Sequence, residues 1–233
     1  MDTATAIVIG ANGGIGSALV RALEASAAYG RVLGLSRSSE PPLDLLDEAT
    51  IEQAARWTGE QAGIHGPIRL VFDATGGLTL EGRGPEKSWR EIDPEALARS
   101  YAINAVGPAL VMKHFLPLLP KEGRSVFATL SARVGSIGDN HLGGWYGYRA
   151  AKAALNQMVR TASVELGRKR PDAICVALHP GTVATPLTEG FAKNGLDVQS
   201  PDEAASRLAN VVQSLTAKDT GRFFDHMGQP IPW

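Results

Sequence analysis

The chain has 233 residues, 44% of them hydrophobic, enough to bury a large core as one domain or two. Its formal net charge is −1, so no basic field calls for nucleic acid or an acidic membrane. The lone Cys175 excludes an internal disulfide and a multi-cysteine metal centre; no apolar run approaches membrane-spanning length, and a cytoplasmic setting is expected.

Thr5 to Ile9 is a short apolar, β-branched run that predicts a strand buried on both faces. Gly10-Ala11-Asn12-Gly13-Gly14-Ile15-Gly16 follows at once, and Ile15, Leu19 and Leu23 then recur at helical spacing. Strand, Gly-rich turn and helix in this order aim backbone N–H groups and a positive helix end at a pyrophosphate. Gly10, Asn12, Gly14, Ile15 and Gly16 are the candidate contacts, against the plainer reading of an ordinary strand-to-helix turn. Arg31 to Leu35 is the second strand, ending in Ser36-Arg37-Ser38. In a dinucleotide fold an acid here bonds a ribose 2′-hydroxyl, while an arginine accommodates a 2′-phosphate. Ser36 and Arg37, with no acid beside them, therefore argue for NADP(H) over NAD(H), unless Arg37 is a solvated loop residue. Pro41 to Leu46 connects onward, bringing Asp44 and Leu45 toward the adenine edge, and Glu48 to Trp57 reads as helix.

Ile68 to Phe72 is the next strand, closed by Asp73-Ala74-Thr75-Gly76-Gly77, where the glycine pair lets the backbone pass close to a ligand. Residues 76–89 read as a surface loop, and Asp93 caps a long helix with Pro94 as its first residue. That helix carries Asn104 and, four residues on, Pro108. Proline has no N–H, so the Asn104 carbonyl loses its helical donor and becomes an oriented acceptor; a plain kink is the competing reading. Arg124 to Leu130 is another strand, ending in Ser131-Ala132-Arg133-Val134-Gly135.

Tyr148 and Lys152 are four residues apart, and Ala153 to Gly167 is rich in helix formers, so both side chains fall on one helix face. A phenol titrates near ~10, too high for easy proton exchange at neutral pH. At ~4 Å and an effective dielectric of ~20, an ammonium attracts a phenolate by ~4 kcal/mol before desolvation. A downward shift of about two to three pKa units is then within reach. The competing reading is an exposed pair on an amphipathic helix. Ala173 to Leu178 is a strand that buries Cys175, and Gly221 to Asp225 reads as the last strand. Thr182 to Gln199 is a candidate lid with Gly190 and Gly195 as hinges. Ser200-Pro201-Asp202-Glu203 is a capping box opening a helix to about Leu215. The five histidines show no metal-ligand spacing, so no metal is expected.

Gly10-x-x-x-Gly14-Ile15-Gly16, Asp73-Ala74-Thr75-Gly76, Asn104, Ser131, Tyr148-x-x-x-Lys152 and Pro180-Gly181 occur in one order over most of the chain. Together they resemble the short-chain dehydrogenase/reductase family. The string from Arg133 to Asn156 looks like its C-factor branch, which is similar to the sniffer-type carbonyl reductases. The resemblance implies that Tyr148 exchanges a proton with the substrate oxygen. It implies that Lys152 lowers the Tyr148 pKa and holds the nicotinamide ribose, and that the Asn104 carbonyl holds a water linked to Lys152. Pro180, Gly181, Thr182, Val183 and Thr185 resemble the loop over the nicotinamide amide.

Two departures stand out. The family's serine lies three residues before the glycine, where this chain has Ala132; Ser131 is the candidate to polarise the carbonyl, with Ser136 as second choice. Asp73-Ala74 replaces the first half of the family's Asn-Asn-Ala-Gly, with a structural consequence expected. His141, Leu142 and Trp145 are expected to wall the substrate pocket, and the Gly228 to Trp233 tail to meet a subunit interface, since the family commonly forms homodimers or homotetramers. The expected fold is α/β: one doubly wound Rossmann-like domain over residues 1–233, a parallel sheet of about seven strands with helices on both faces. The expected function is NADP(H)-dependent reduction of a ketone or aldehyde, or oxidation of the alcohol. The alternative is a cofactor-binding, C-factor-like signalling protein with little turnover.

Overall fold

The computed structural model describes residues 4–186, 188 and 198–233. Thr5–Ile9 forms β1 with every residue buried, so it must be covered on both faces. Helix α1 (Gly14–Ala25) leads to β2 (Arg31–Leu35), and α2 (Glu48–His65) to β3 (Ile68–Asp73). Helices α3 (Pro94–Tyr101) and α4 (Gly107–Phe115) precede β4 (Ser125–Leu130). Helix α5 (Tyr146–Lys169) precedes β5 (Ala173–His179). Short strands β6 (Thr182–Val183) and β7 (Val198–Gln199), helix α6 (Pro201–Ser214) and β8 (Phe223–Asp225) complete the order.

The central sheet runs β2-β1-β3-β4-β5-β8, and every neighbouring pair is parallel. Successive side chains leave a strand on opposite faces. Ile7, Ile9, Val71, Phe127 and Cys175 pack with Ile51 of α2, Val111 and Phe115 of α4, and Leu155 and Val159 of α5. Ala6, Val8, Leu70, Val126 and Ile174 pack with Leu19 and Leu23 of α1 and Leu208 and Val212 of α6. The sheet is therefore covered on both faces, as expected, with six strands among the described residues where about seven were expected. Among the described residues β6 and β7 pair with each other and not with the central sheet, because Pro180-Gly181, with Gly181 at φ 79°, turns the chain off the sheet after β5.

Local detail departs from the sequence pattern in two helices. Helix α2 runs on through Gly59 and Gly63 to His65, with Gly66 at φ 101° as its stop. Gly59 lies beside Leu118, and the helix penalty of the two glycines is modest. The long helix from Pro94 is interrupted by a π turn at Ala102–Val106, where the Gly107 N–H reaches back to the Ala102 carbonyl. Pro108 cannot donate to Asn104, so the widened turn absorbs the break. The expected caps are present: Asp93 accepts from the Ala96 N–H at 2.9 Å, and Ser200 and Glu203 form a reciprocal capping box. The C-terminal tail folds onto its own chain. Ile231 donates to the Phe223 carbonyl at 2.8 Å, Trp233 stacks on Phe223, and Gly138 donates to the Trp233 carbonyl. Gly190 and Gly195, the expected hinges, lie outside the described residues.

Candidate active site

The chain leaves β1 for β2 on one side and places β3 on the other, so a crevice opens at the carboxyl ends of β1 and β3. Gly10 sits there at φ 82°; a Cβ on it would lie 3.1 Å from the Ala74 carbonyl carbon and 3.2 Å from Thr75 Cγ2. A Cβ on Gly16 would strike the Gly10 oxygen at 2.1 Å, and one on Gly14 would lie 2.7 Å from Thr185 Cγ2. Gly10, Gly14, Gly16, Ala74, Thr75 and Thr185 are thus brought together. Helix α1 begins here with no side-chain cap on Gly13 and no acid in its first turn. Its first amides, those of Gly14, Ile15 and Gly16, have no helical acceptor, which fits a pyrophosphate.

The second half of the cofactor edge is more dispersed. Asn12 Nδ2 donates to Ser38 Oγ, tying the Gly-rich turn to the end of β2. Ser36 is buried, while Arg37 is exposed with no ion-pair partner among the described residues. Asp44 closes its own turn by accepting from the Leu46 N–H at 3.0 Å, and Leu45 packs on Gly107. The Pro180 carbonyl accepts from Gln199 Nε2 at 2.6 Å, which fastens the Pro180–Val183 segment to β7.

Tyr148 and Lys152 occupy adjacent turns of α5 and face the same crevice. Lys152 Nζ donates to the Leu130 carbonyl at 2.9 Å and lies 5.9 Å from the centre of the Tyr148 ring. A Cβ on Gly76 would sit 3.4 Å from both Lys152 Nζ and Asn104 Oδ1. The Asn104 side chain exchanges two hydrogen bonds with the Gly77 backbone, at 2.8 and 2.9 Å, which locks the π turn against the strand end. Burial pulls Lys152 down to about 8, and the Asp73 carboxylate works in the opposite direction. Burial pushes the Tyr148 phenol up. This overturns the expected depression of that phenol. Removing a phenolate from water outweighs the pull of an ammonium that is already bonded to a carbonyl.

Ser131 Oγ is buried and donates to Asn156 Oδ1 at 2.7 Å, so its proton is directed away from the crevice. Ser136 Oγ accepts from the Asp139 N–H at 3.1 Å. Trp145 stands edge-on to Tyr148 with ring centres 6.3 Å apart. His141 and Leu142 reach into solvent, Leu142 with 92% of its surface exposed. A cleft of about 840 Å³ opens beside Tyr148, walled also by Leu78, Leu80, Glu86, Arg99 and Ser100.

Sequence reasoning gave three residues here no role in the site, though Asp73 was expected to matter structurally. Asp73 is fully buried, accepts from Thr129 Oγ1 at 2.8 Å and Thr75 Oγ1 at 2.6 Å, and favours the Lys152 charge. Asn156 lies one helical turn beyond Lys152, so the Tyr148, Lys152, Asn156 spacing could have flagged it. Glu86 gave no signal, because its partners are 61 residues away.

Residues 33–223 match the family described as enoyl-(acyl carrier protein) reductase. The chain is 38% identical over 144 residues to C-signal of Myxococcus xanthus, covering 61% of this chain and 82% of that one. It is 33% identical over 195 residues to 1-hydroxy-2-glutathionyl-2-methyl-3-butene dehydrogenase of Rhodococcus, covering 83% and 80%. Its fold superimposes on the NADPH-bound carbonyl reductase from chicken fatty liver with a TM-score of 0.86 at 26% identity, over 100% of this chain and 95% of the other. It also superimposes on the sniffer carbonyl reductase of Drosophila melanogaster, with a TM-score of 0.82 at 23% identity over the whole of both chains. With a parallel sheet whose switch point carries the Gly-rich turn, and with relatives of this kind along most of its length, the chain belongs to the short-chain dehydrogenase/reductase family as a C-factor-like oxidoreductase.

Proposed function

We propose that this oxidoreductase uses NADP(H) to reduce a small ketone or aldehyde, or to oxidise the alcohol, with Tyr148 as the proton carrier. The observation that carries the reading is the buried Lys152 ammonium beside Tyr148, set against Asn104 and Gly76 at the strand ends. When bound, the nicotinamide supplies the hydride. Gly14, Ile15 and Gly16 would hold the pyrophosphate, Arg37 the 2′-phosphate, and Pro180, Gly181, Thr182 and Val183 the nicotinamide end. The NADPH found in the chicken carbonyl reductase supports the same cofactor here.

Tyr148 stands on the wall of the cleft, where a substrate oxygen can reach it. Its raised pKa keeps the phenol protonated at neutral pH, so the proton is present but held tightly, and the neighbouring Lys152 charge would have to ease its release. Lys152, lowered to about 8 by burial, still favours its charged form at pH 7 and would place a positive charge next to the ring. Ser131 would have to release Asn156 before donating to a substrate, so Tyr148 is the principal donor to that oxygen. Leu78 and Leu80 supply an apolar wall in the cleft, and Trp145 backs Tyr148 edge-on.

Fluorescence titration with NADPH and NADH, followed by a carbonyl screen with the preferred cofactor, tests the reading. Tyr148→Phe is expected to lower kcat by roughly 10²–10⁴-fold while cofactor affinity stays within about twofold. The kinship with C-signal favours the signalling alternative, which predicts cofactor binding, negligible turnover, and biological activity that survives Tyr148→Phe.

A further inference from the structure

We propose that Glu86, from the loop between β3 and α3, is a positioning residue that caps the helix carrying Tyr148 and Lys152. The proposal rests on the oxidoreductase reading for its kinetic consequence only. Trp145 adopts φ 55° at the N-cap of helix α5, and the first turn has no acid of its own. Glu86, only 9% exposed, brings one from another segment. Its carboxylate Oε2 accepts from the Gly147 N–H at 3.0 Å, and its backbone carbonyl accepts from the Trp145 N–H at 2.5 Å.

A carboxylate at this end also complements the helix dipole. The fit depends on Gly147 lacking a side chain, since a Cβ there would lie 2.9 Å from Glu86 Oε1 and 3.2 Å from Leu97 Cδ2. Gly147 immediately precedes Tyr148, so the clamp sets the height and rotation of the turn that presents the phenol. The loop is itself anchored. Lys87 N–H donates to Glu91 Oε2 at 2.9 Å, Leu80 and Arg83 exchange backbone bonds, and Arg83 pairs with Asp93, the cap of α3. Glu86 thus ties the cleft wall to the catalytic turn.

The test compares Glu86→Ala with Glu86→Gln, which keeps the acceptor oxygen, in kcat, NADPH affinity and amide exchange of residues 145–147. Glu86→Ala is expected to lower kcat about tenfold or more. NADPH affinity should stay within about twofold, the Gly147 amide should exchange about tenfold faster, and Glu86→Gln should recover most of both losses. Parallel loss of kcat and cofactor affinity, or unchanged exchange at 145–147, overturns the proposal. Should Glu86→Ala fail to fold, Gly147→Ala displaces the same carboxylate and must give the same split. If the wild-type chain turns over no carbonyl, the functional reading falls and the exchange data alone decide the cap.

Discussion

Replacing Lys152 with methionine keeps most of the side-chain volume and removes the buried charge. In the folded chain Lys152 is 2% exposed and loses its proton near pH 8, whereas in the unfolded chain it holds it to about 10.5. Between those values the unfolded state binds more protons, so stability rises with pH through this window and is lower below it. At 1.36 kcal/mol per unit, the wild-type chain should gain about 2.5 kcal/mol between pH 7 and pH 10 from this group alone. The Cys175 thiol, pushed up to about 12 by burial, works the other way above pH 9 because the unfolded thiol ionises first. The informative quantity is therefore the wild-type minus Lys152→Met difference, in which Cys175 cancels. Urea unfolding at pH 7, 8, 9 and 10 measures it. Lys152→Met should be more stable than the wild type at pH 7, with the advantage shrinking toward pH 10. Parallel curves for the two proteins would refute the reasoning and mean that Lys152 stays fully charged in the fold.

Arg37→Ala should weaken NADPH about 10- to 100-fold, from loss of a charge-assisted contact, and leave NADH within about twofold; equal weakening of both would remove Arg37 from the cofactor site. Gly16→Ala should raise the NADPH Kd at least about tenfold, since the new methyl meets the Gly10 carbonyl and shifts the phosphate-binding turn. His179 is lowered to about 4, by burial first and then by Arg133 and His226, with Asp225 opposing. A histidine kept neutral by the fold favours the unfolded state as it protonates, so stability present above pH 6.5 is lost as pH falls toward 4. The loss is up to about 3 kcal/mol, and His179→Asn should flatten that limb of the unfolding curve.

Much of this molecule was legible in order along the chain. The runs expected from Thr5, Arg31, Ile68, Arg124, Ala173 and Gly221 each became a strand of the parallel sheet, and the four inner ones, buried on both faces, leave a continuous hydrophobic signature. The Gly-rich turn and the Asp93 and Ser200 caps were legible for a related reason: they depend on backbone stereochemistry within a few residues. Tyr148 and Lys152 were legible as neighbours because helical spacing alone places them on one face.

What each of these groups does is a different matter. Whether Tyr148 titrates low or high depends on how dry its surroundings are, and sequence spacing carries no information on that. The proton of Ser131 goes to Asn156, 25 residues away, and Asp73 reaches Thr129 across 56. Helix α2 ran on through two glycines that local propensity disfavours. By itself the sequence determined the order of elements and the adjacency of Tyr148 and Lys152, since both follow from local periodicity and backbone geometry. Only the tertiary structure decided which hydroxyl is engaged, how the Lys152 charge is supported, and which carboxylate meets the first turn of α5, because those follow from burial and from contacts between distant segments.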